Sequence, residues 1–179
     1  MNTANFVVLG DGPLRGQLES LASELRLDGS ITFAGFRRDA LALYSDMDVV
    51  ALTSVNEGTP LTLIEAMSCG CPVVSSEVGG VVDIMGARRA ASDGFCLYDH
   101  GITVPSGDDA AMARALVFAA SRPKLRSEMG ERGKAFVRSA LSKDRLVSDV
   151  ERLYRELHKG DQARSYELRL QDERLKSAG

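Results

Sequence analysis

Residues 48–76 read DVVALTSVNEGTPLTLIEAMSCGCPVVSS. Asp48 to Leu52 and Pro72 to Ser75 are short runs rich in β-branched residues. Their apolar positions are continuous rather than alternating, the pattern of a strand buried on both faces. Between them, Pro60 to about Cys69 has helical length. Thr59 is placed to cap its start, Pro60 suits the first helical position and Gly70 ends it. Strand, helix, strand in this order reads as a parallel βαβ unit.

The same alternation extends outward. Phe6 to Leu9 is an apolar run ended by Gly10-Asp11-Gly12-Pro13, after which Leu14, Leu18, Leu21 and Leu25 recur at helical spacing. Ile31 to Phe33 reads as a second strand. Asp39 is placed to cap a short helix over Ala40 to Tyr44. After Gly79-Gly80 comes a short helix near Val81 to Met85, then a basic, loop-like stretch from Gly86 to Asp93. Phe95 to Tyr98 and Ile102 to Val104 read as short end strands or a hairpin. Asp108 or Asp109 caps a helix through Met112, Leu116 and Ala119. Pro123 opens another that reaches about Ala140, with Gly130 and Gly133 weakening its middle by about 1 kcal/mol each. Ser142 caps a last amphipathic helix carrying Leu146, Val150, Leu153 and Leu157. The fold class is therefore α/β, a doubly wound parallel sheet of the Rossmann-like kind. One domain spans residues 1–157, and 158–179 form a charged tail or helix.

Composition narrows the function. The chain has 179 residues, 44% hydrophobic and 26% charged, with 22 Lys+Arg against 25 Asp+Glu. Such a balance suits a globular core and excludes nucleic-acid binding by bulk positive charge. It does not exclude a local site for one anionic small molecule. The three cysteines, Cys69, Cys71 and Cys96, have no metal-ligand spacing and no disulfide framework, which is the usage of a reducing cytosol. No apolar run approaches the roughly 18 residues of a membrane span. Neither His100 nor His158 receives a role.

In an open parallel sheet, ligands bind at the carboxyl ends of the strands. Here those ends carry Gly10 to Gly12, Gly35 to Arg37, Thr53 to Thr59 and Glu77 to Gly80. The third is the most informative. A helix starting at Thr59-Pro60 would point the free amides of Leu61, Thr62 and Leu63 into the cleft, a place for a phosphate. Glu57 lies just outside that helix. Glu65 lies inside it, on the face of Leu61, in a core-like stretch where its carboxylate needs a partner. Vicinal sugar hydroxyls would serve. Gly10-x-Gly12 lacks the third glycine of a dinucleotide fingerprint, and there is no P-loop.

Glu57-Gly58-Thr59-Pro60, Glu65-Ala66-Met67, Gly70-x-Pro72-Val73-Val74 and Gly79-Gly80 together resemble the donor-binding, C-terminal half of GT-B fold retaining glycosyltransferases of family 4 (group 1). The two glutamates match that family's E-x7-E motif. Gly10 to Pro13, Phe33-x-Gly35, Tyr44 to Asp48 and Gly101-Ile102-x-Val104-Pro105-x-Gly107-Asp108 agree with it. The likeness covers nearly all of residues 5–157, with Asp83 where the family often has Glu.

The resemblance implies roles. Glu57, by the transferred sugar, is the catalytic candidate. Glu65 would hold the donor's ribose, and Gly58, Thr59, Pro60, Leu61 and Thr62 would meet sugar and phosphates. Phe36 and Arg37 would lie against the base, and Gly12 would line the site. The substrate would be a UDP-, GDP- or ADP-sugar, with no metal and no further cofactor. The family's acceptor-binding half and its first β-α unit have no counterpart here. The chain is therefore expected to need an N-terminal acceptor domain or partner chain, to be weak or inactive alone, and to expose a face on which a second copy could pair. A cytoplasmic enzyme of polysaccharide or glycolipid synthesis, peripheral at the membrane's inner face, is the expected setting. The alternatives are a non-catalytic nucleotide-sugar-binding module and a GT-B-fold sugar-nucleotide epimerase.

Overall fold

The computed structural model describes residues 4–158. In chain order the elements are β1 (Phe6–Leu9), α1 (Arg15–Glu24), β2 (Ile31–Gly35), α2 (Ala40–Asp46), β3 (Val50–Leu52), α3 (Leu61–Ser68), β4 (Val73–Ser76) and α4 (Val81–Ile84), followed by β5 (Arg88–Ser92), β6 (Phe95–Tyr98), β7 (Gly101–Val104), α5 (Asp109–Ala120) and α6 (Pro123–Ala140). A last helix, α7, covers 143–158. The charged segment after His158 lies outside the described residues.

β3, β4 and β7 run parallel, and β6 and β5 continue the sheet antiparallel in the order β3-β4-β7-β6-β5. β4 and β7 are buried at every position, their polar residues Ser75, Ser76 and Thr103 included. Neighbouring residues of β4 serve opposite faces. Val73 packs with Leu63, Met67, Val81 and Met85, while Val74 packs with Ile102, Ala111, Ala115 and Met129. The two apolar layers thus follow from the period of two along one strand.

Three readings of the sequence are corrected here, and one stripe whose burial it left open is found at the surface. The sheet is in two pieces, because β1 and β2 pair in parallel with each other and, among the described residues, with no other strand. Arg88–Ser92, read as loop, is a strand. It is exposed at all five positions and owes its form to backbone pairing with β6 rather than to burial. α1 begins at Arg15, and its leucine stripe is not core: Leu14, Leu18, Leu21 and Leu25 are 58%, 46%, 48% and 60% exposed, and only Ala22 is buried. Asp39 makes no capping bond to α2, because its carboxylate is taken by Arg37.

Other readings hold. Asp108 Oδ1 accepts from the Ala111 amide at 2.8 Å, and Ser142 Oγ accepts from the Arg145 amide at 3.3 Å, so both cap their helices. The apolar stripe of α7, Leu146, Val150, Leu153 and Leu157, is exposed like that of α1. No helix among the described residues is long and apolar enough to cross a membrane.

Gly130 in α6 has a role its helix propensity hides. A Cβ there would sit 2.0 Å from the Gly70 carbonyl oxygen, so the backbone of α6 rests directly on the end of α3. Gly130→Ala is therefore expected to destabilise the chain by about 1–3 kcal/mol through overpacking, despite alanine's better propensity. Gly16, near the start of α1, faces open space. Gly16→Ala is expected to stabilise by up to about 1 kcal/mol. Urea unfolding of the two variants tests the opposite signs; a neutral Gly130→Ala would refute the contact.

Candidate active site

The loop from Thr53 to Pro60 leaves the end of β3 and the turn Glu77–Gly80 leaves the end of β4. The two are pressed together, backbone to backbone. Gly79 has φ +49°, and a Cβ on it would lie 1.6 Å from the Glu57 carbonyl oxygen. A Cβ on Gly80 would lie 2.4 Å from the Gly58 oxygen, to which the Gly80 amide donates at 3.1 Å. Both positions need glycine because a carbonyl of the facing loop occupies the side-chain space.

This contact fixes Glu57 and Gly58. The Glu57 side chain is half-buried, and its Oε1 accepts from Ser54 Oγ at 2.6 Å. That bond is short, so it selects one orientation of the carboxylate. On the other side of the turn, Glu77 Oε2 accepts from Thr103 Oγ1 at 2.6 Å, and the Glu77 amide donates to the Val104 carbonyl at 2.7 Å.

The start of α3 differs from the sequence reading. Thr59 does not cap it, and Pro60, buried, stands before the first helical residue at φ −77°, ψ 79°. This is close to an inverse γ-turn, in which the Thr59 carbonyl takes the Leu61 amide at 2.9 Å. The Leu63 amide donates to the Pro60 carbonyl at 3.0 Å. Of the three amides expected to point outward, two are therefore used by the turn itself, and that of Thr62 is left. Gly58, Thr59 and Leu61 are exposed, and Thr62 is half-buried.

Glu65 shares an exposed face with Leu61, as the spacing predicts. It is exposed rather than core-bound, because the stretch around it turns Leu63, Ala66 and Met67 inward and Glu65 out. Its carboxylate makes no hydrogen bond or ion pair among the described residues. Beside it, Tyr44 is buried; burial first, and the Glu65 charge second, push its hydroxyl's pKa up. The phenol therefore stays protonated at neutral pH.

Phe36 and Arg37 follow β2. Phe36 is 77% exposed. Arg37 grips Asp39 with two bonds, 2.7 and 2.6 Å, which hold the Asp39 carboxyl down to about 2. Gly12 follows β1, where its amide donates to Asp11 Oδ1 at 2.8 Å. It lines a groove of about 340 Å³ with Leu9, Gly10, Arg15 and Phe33. The Gly10 amide donates to the Gly35 carbonyl at 2.9 Å, tying these two loops together. Among the described residues, no hydrogen bond or ion pair connects this cluster to the one around Glu57.

Ser54, Thr103 and Tyr44 shape the site and were given no role from sequence. Glu77, Gly79 and Gly80 were read only as a strand end and a motif match, without the contact they make. No group of three or more His, Cys, Asp or Glu side chains among the described residues could hold a metal ion. The Cys71 thiol, under α3, is pushed up to about 11 by burial and is an apolar packing group.

The chain is similar to known proteins over most of its length. It is 26% identical over 158 residues to the N-acetyl-alpha-D-glucosaminyl L-malate synthase of Bacillus anthracis, which covers 88% of this chain and 39% of that protein. It is 32% identical over 126 residues to the lipopolysaccharide core biosynthesis glycosyltransferase LpsE of Rhizobium meliloti, 70% of this chain and 34% of that one. The structure of Anabaena Alr3699/HepE in complex with UDP superposes with a TM-score of 0.74 at 20% identity, over 87% of this chain and 42% of that chain. The chain thus spans about two fifths or less of each of these proteins. The sequence model of the family described as "Glycosyl transferases group 1" matches residues 1–121, well over half of the 179, and the chain belongs to that family.

Proposed function

We propose that this chain is the donor-binding part of a retaining glycosyltransferase that moves a sugar from a nucleotide-sugar to an acceptor hydroxyl. The observation that carries the reading is the pair of carboxylates at one strand end. Glu57 is oriented by Ser54 in a segment immobilised against Gly79-Gly80, while Glu65 is exposed and unpartnered one helix turn beyond the loop. A rigid carboxylate and a free one at the ligand end of a parallel sheet suit a polyhydroxylated substrate. Glu65 would accept from the vicinal ribose hydroxyls. Glu57 would stand by the transferred sugar. Gly58 to Thr62 would meet sugar and diphosphate, with Phe36 and Arg37 at the base and Gly12 nearby.

In the reaction the bond from the anomeric carbon to the diphosphate oxygen breaks, and the nucleoside diphosphate leaves with the electron pair. A bond to the acceptor oxygen forms on the same face as the acceptor loses its proton. Stabilising the departing diphosphate is the main electrostatic demand. On this reading the Thr62 amide and basic side chains meet it without a metal. That Alr3699/HepE was solved with UDP, and that LpsE bears a lipopolysaccharide core biosynthesis name, supports a nucleotide-sugar donor and a role in polysaccharide or glycolipid assembly. The acceptor site is assigned to the part of such proteins that this chain does not span. A cytoplasmic setting, peripheral at the membrane, completes the proposal.

Calorimetric titration of the full chain with UDP, GDP and ADP tests it. One nucleotide is expected to bind, and Glu65→Ala to weaken that binding by about 10- to 100-fold, the loss of bonds to a charged acceptor. A chain that binds none of the three, or binds one equally well after Glu65→Ala, would overturn the reading. Gly79→Ala is expected to abolish the same binding, because the Glu57 carbonyl must move out of the way of the new methyl. Unchanged affinity in that variant would show that the loop contact is irrelevant to the donor.

A further inference from the structure

We propose that Thr103, on β7, is a positioning residue for the Glu57–Gly58 segment, acting through the carboxylate of Glu77. Its consequence for the donor rests on the donor-site reading above, whereas the positioning itself does not.

Thr103 has no exposed surface, and it is the one polar side chain of the strand Gly101–Val104. A buried hydroxyl costs free energy unless it is bonded. This one does not bond locally, as Ser75 Oγ does to the Ser76 carbonyl at 3.1 Å. It reaches across to the next loop and donates to Glu77 Oε2 at 2.6 Å. The acceptor is a carboxylate oxygen and the bond is short, so it fixes the rotamer of Glu77.

Glu77 is thereby held to β7 twice, by its side chain and by its amide on the Val104 carbonyl at 2.7 Å. Val78 alone separates it from Gly79, and the Val78 amide is already tied to the Ser76 carbonyl at 3.1 Å. So short a tether leaves Gly79 no independent freedom. Gly79 in turn abuts the Glu57 carbonyl with no room for a methyl group, and Gly80 bonds the Gly58 carbonyl. The path from a buried hydroxyl to the backbone of Glu57 is thus continuous and rigid. A Thr103 that served packing alone would not need its hydroxyl; one that positions the loop does.

Three variants separate the two. Thr103→Val keeps the shape and loses the hydroxyl, Thr103→Ser keeps the hydroxyl and loses the methyl, and Glu77→Ala removes the acceptor. The first readout is hydrogen exchange at the Gly80 amide, which needs no ligand. Thr103→Val and Glu77→Ala are each expected to speed it by about tenfold or more, and the double variant no further than either alone. Thr103→Ser is expected to exchange at the wild-type rate, even if it melts at a lower temperature. A rate that follows the methyl instead, faster in Thr103→Ser than in Thr103→Val, or additive effects in the double variant, would overturn the inference. The second readout is affinity for whichever of UDP, GDP or ADP the wild type binds. It is expected to fall in Thr103→Val and not in Thr103→Ser. A wild type that binds none of them removes the donor-site reading and leaves the exchange rates to decide the positioning role.

Discussion

The site depends on two loops whose backbones touch with nothing between them. A side chain at Gly79 would overlap the Glu57 carbonyl, and one at Gly80 would crowd that of Gly58. Contact at this range makes the loop after β3 and the turn after β4 one rigid body. The gain is orientation: binding groups that need no reordering lose less entropy when a ligand arrives. The same device recurs away from the site, where Gly130 of α6 rests on the Gly70 carbonyl at the end of α3. Because α3 carries Glu65 and Gly70 follows just after its C-terminus, the second contact steadies the helix that the first contact leads into.

Much of this was legible in the sequence because strands buried on both faces leave a plain trace. Val73-Val74 and the Ile102 to Val104 stretch mark two such strands, and they lie side by side inside the larger sheet. What was not legible had no such trace. Arg88 to Ser92 carries no apolar run and is a strand only through its partner β6. The leucines of α1 have ideal helical spacing, yet spacing states which residues share a face, not whether anything covers it. Asp39 is well placed to cap a helix, but a guanidinium two residues away competes better for its carboxylate than a backbone amide does.

The candidate site divides the same way. Glu57 and Glu65 could be singled out because the signal for each is local to a loop and a helix face. The long-range contacts behind Glu57 could not, because they join residues far apart in sequence, Thr103 with Glu77 and Gly79 with Glu57. The expected fan of free amides at α3 failed for a local reason. Proline before the helix closed a tight turn that used the amide of Leu61.

The pattern of carboxylates at the strand ends now separates structural groups from available ones. Glu57 is held by Ser54, Glu77 by Thr103 and Asp39 by Arg37, each by a bond of 2.7 Å or less. Their lone pairs are partly committed, and their directions are fixed. Glu65 alone of these four has no hydrogen-bond or ion-pair partner among the described residues, and it is exposed rather than set in a buried gap. Its freedom therefore stores no strain. It means that a hydroxyl-bearing ligand would displace only solvent to reach it, beside a Tyr44 phenol that its own charge helps to keep protonated. Held carboxylates define the shape of the site, and the unheld one is where a ligand has the most to gain.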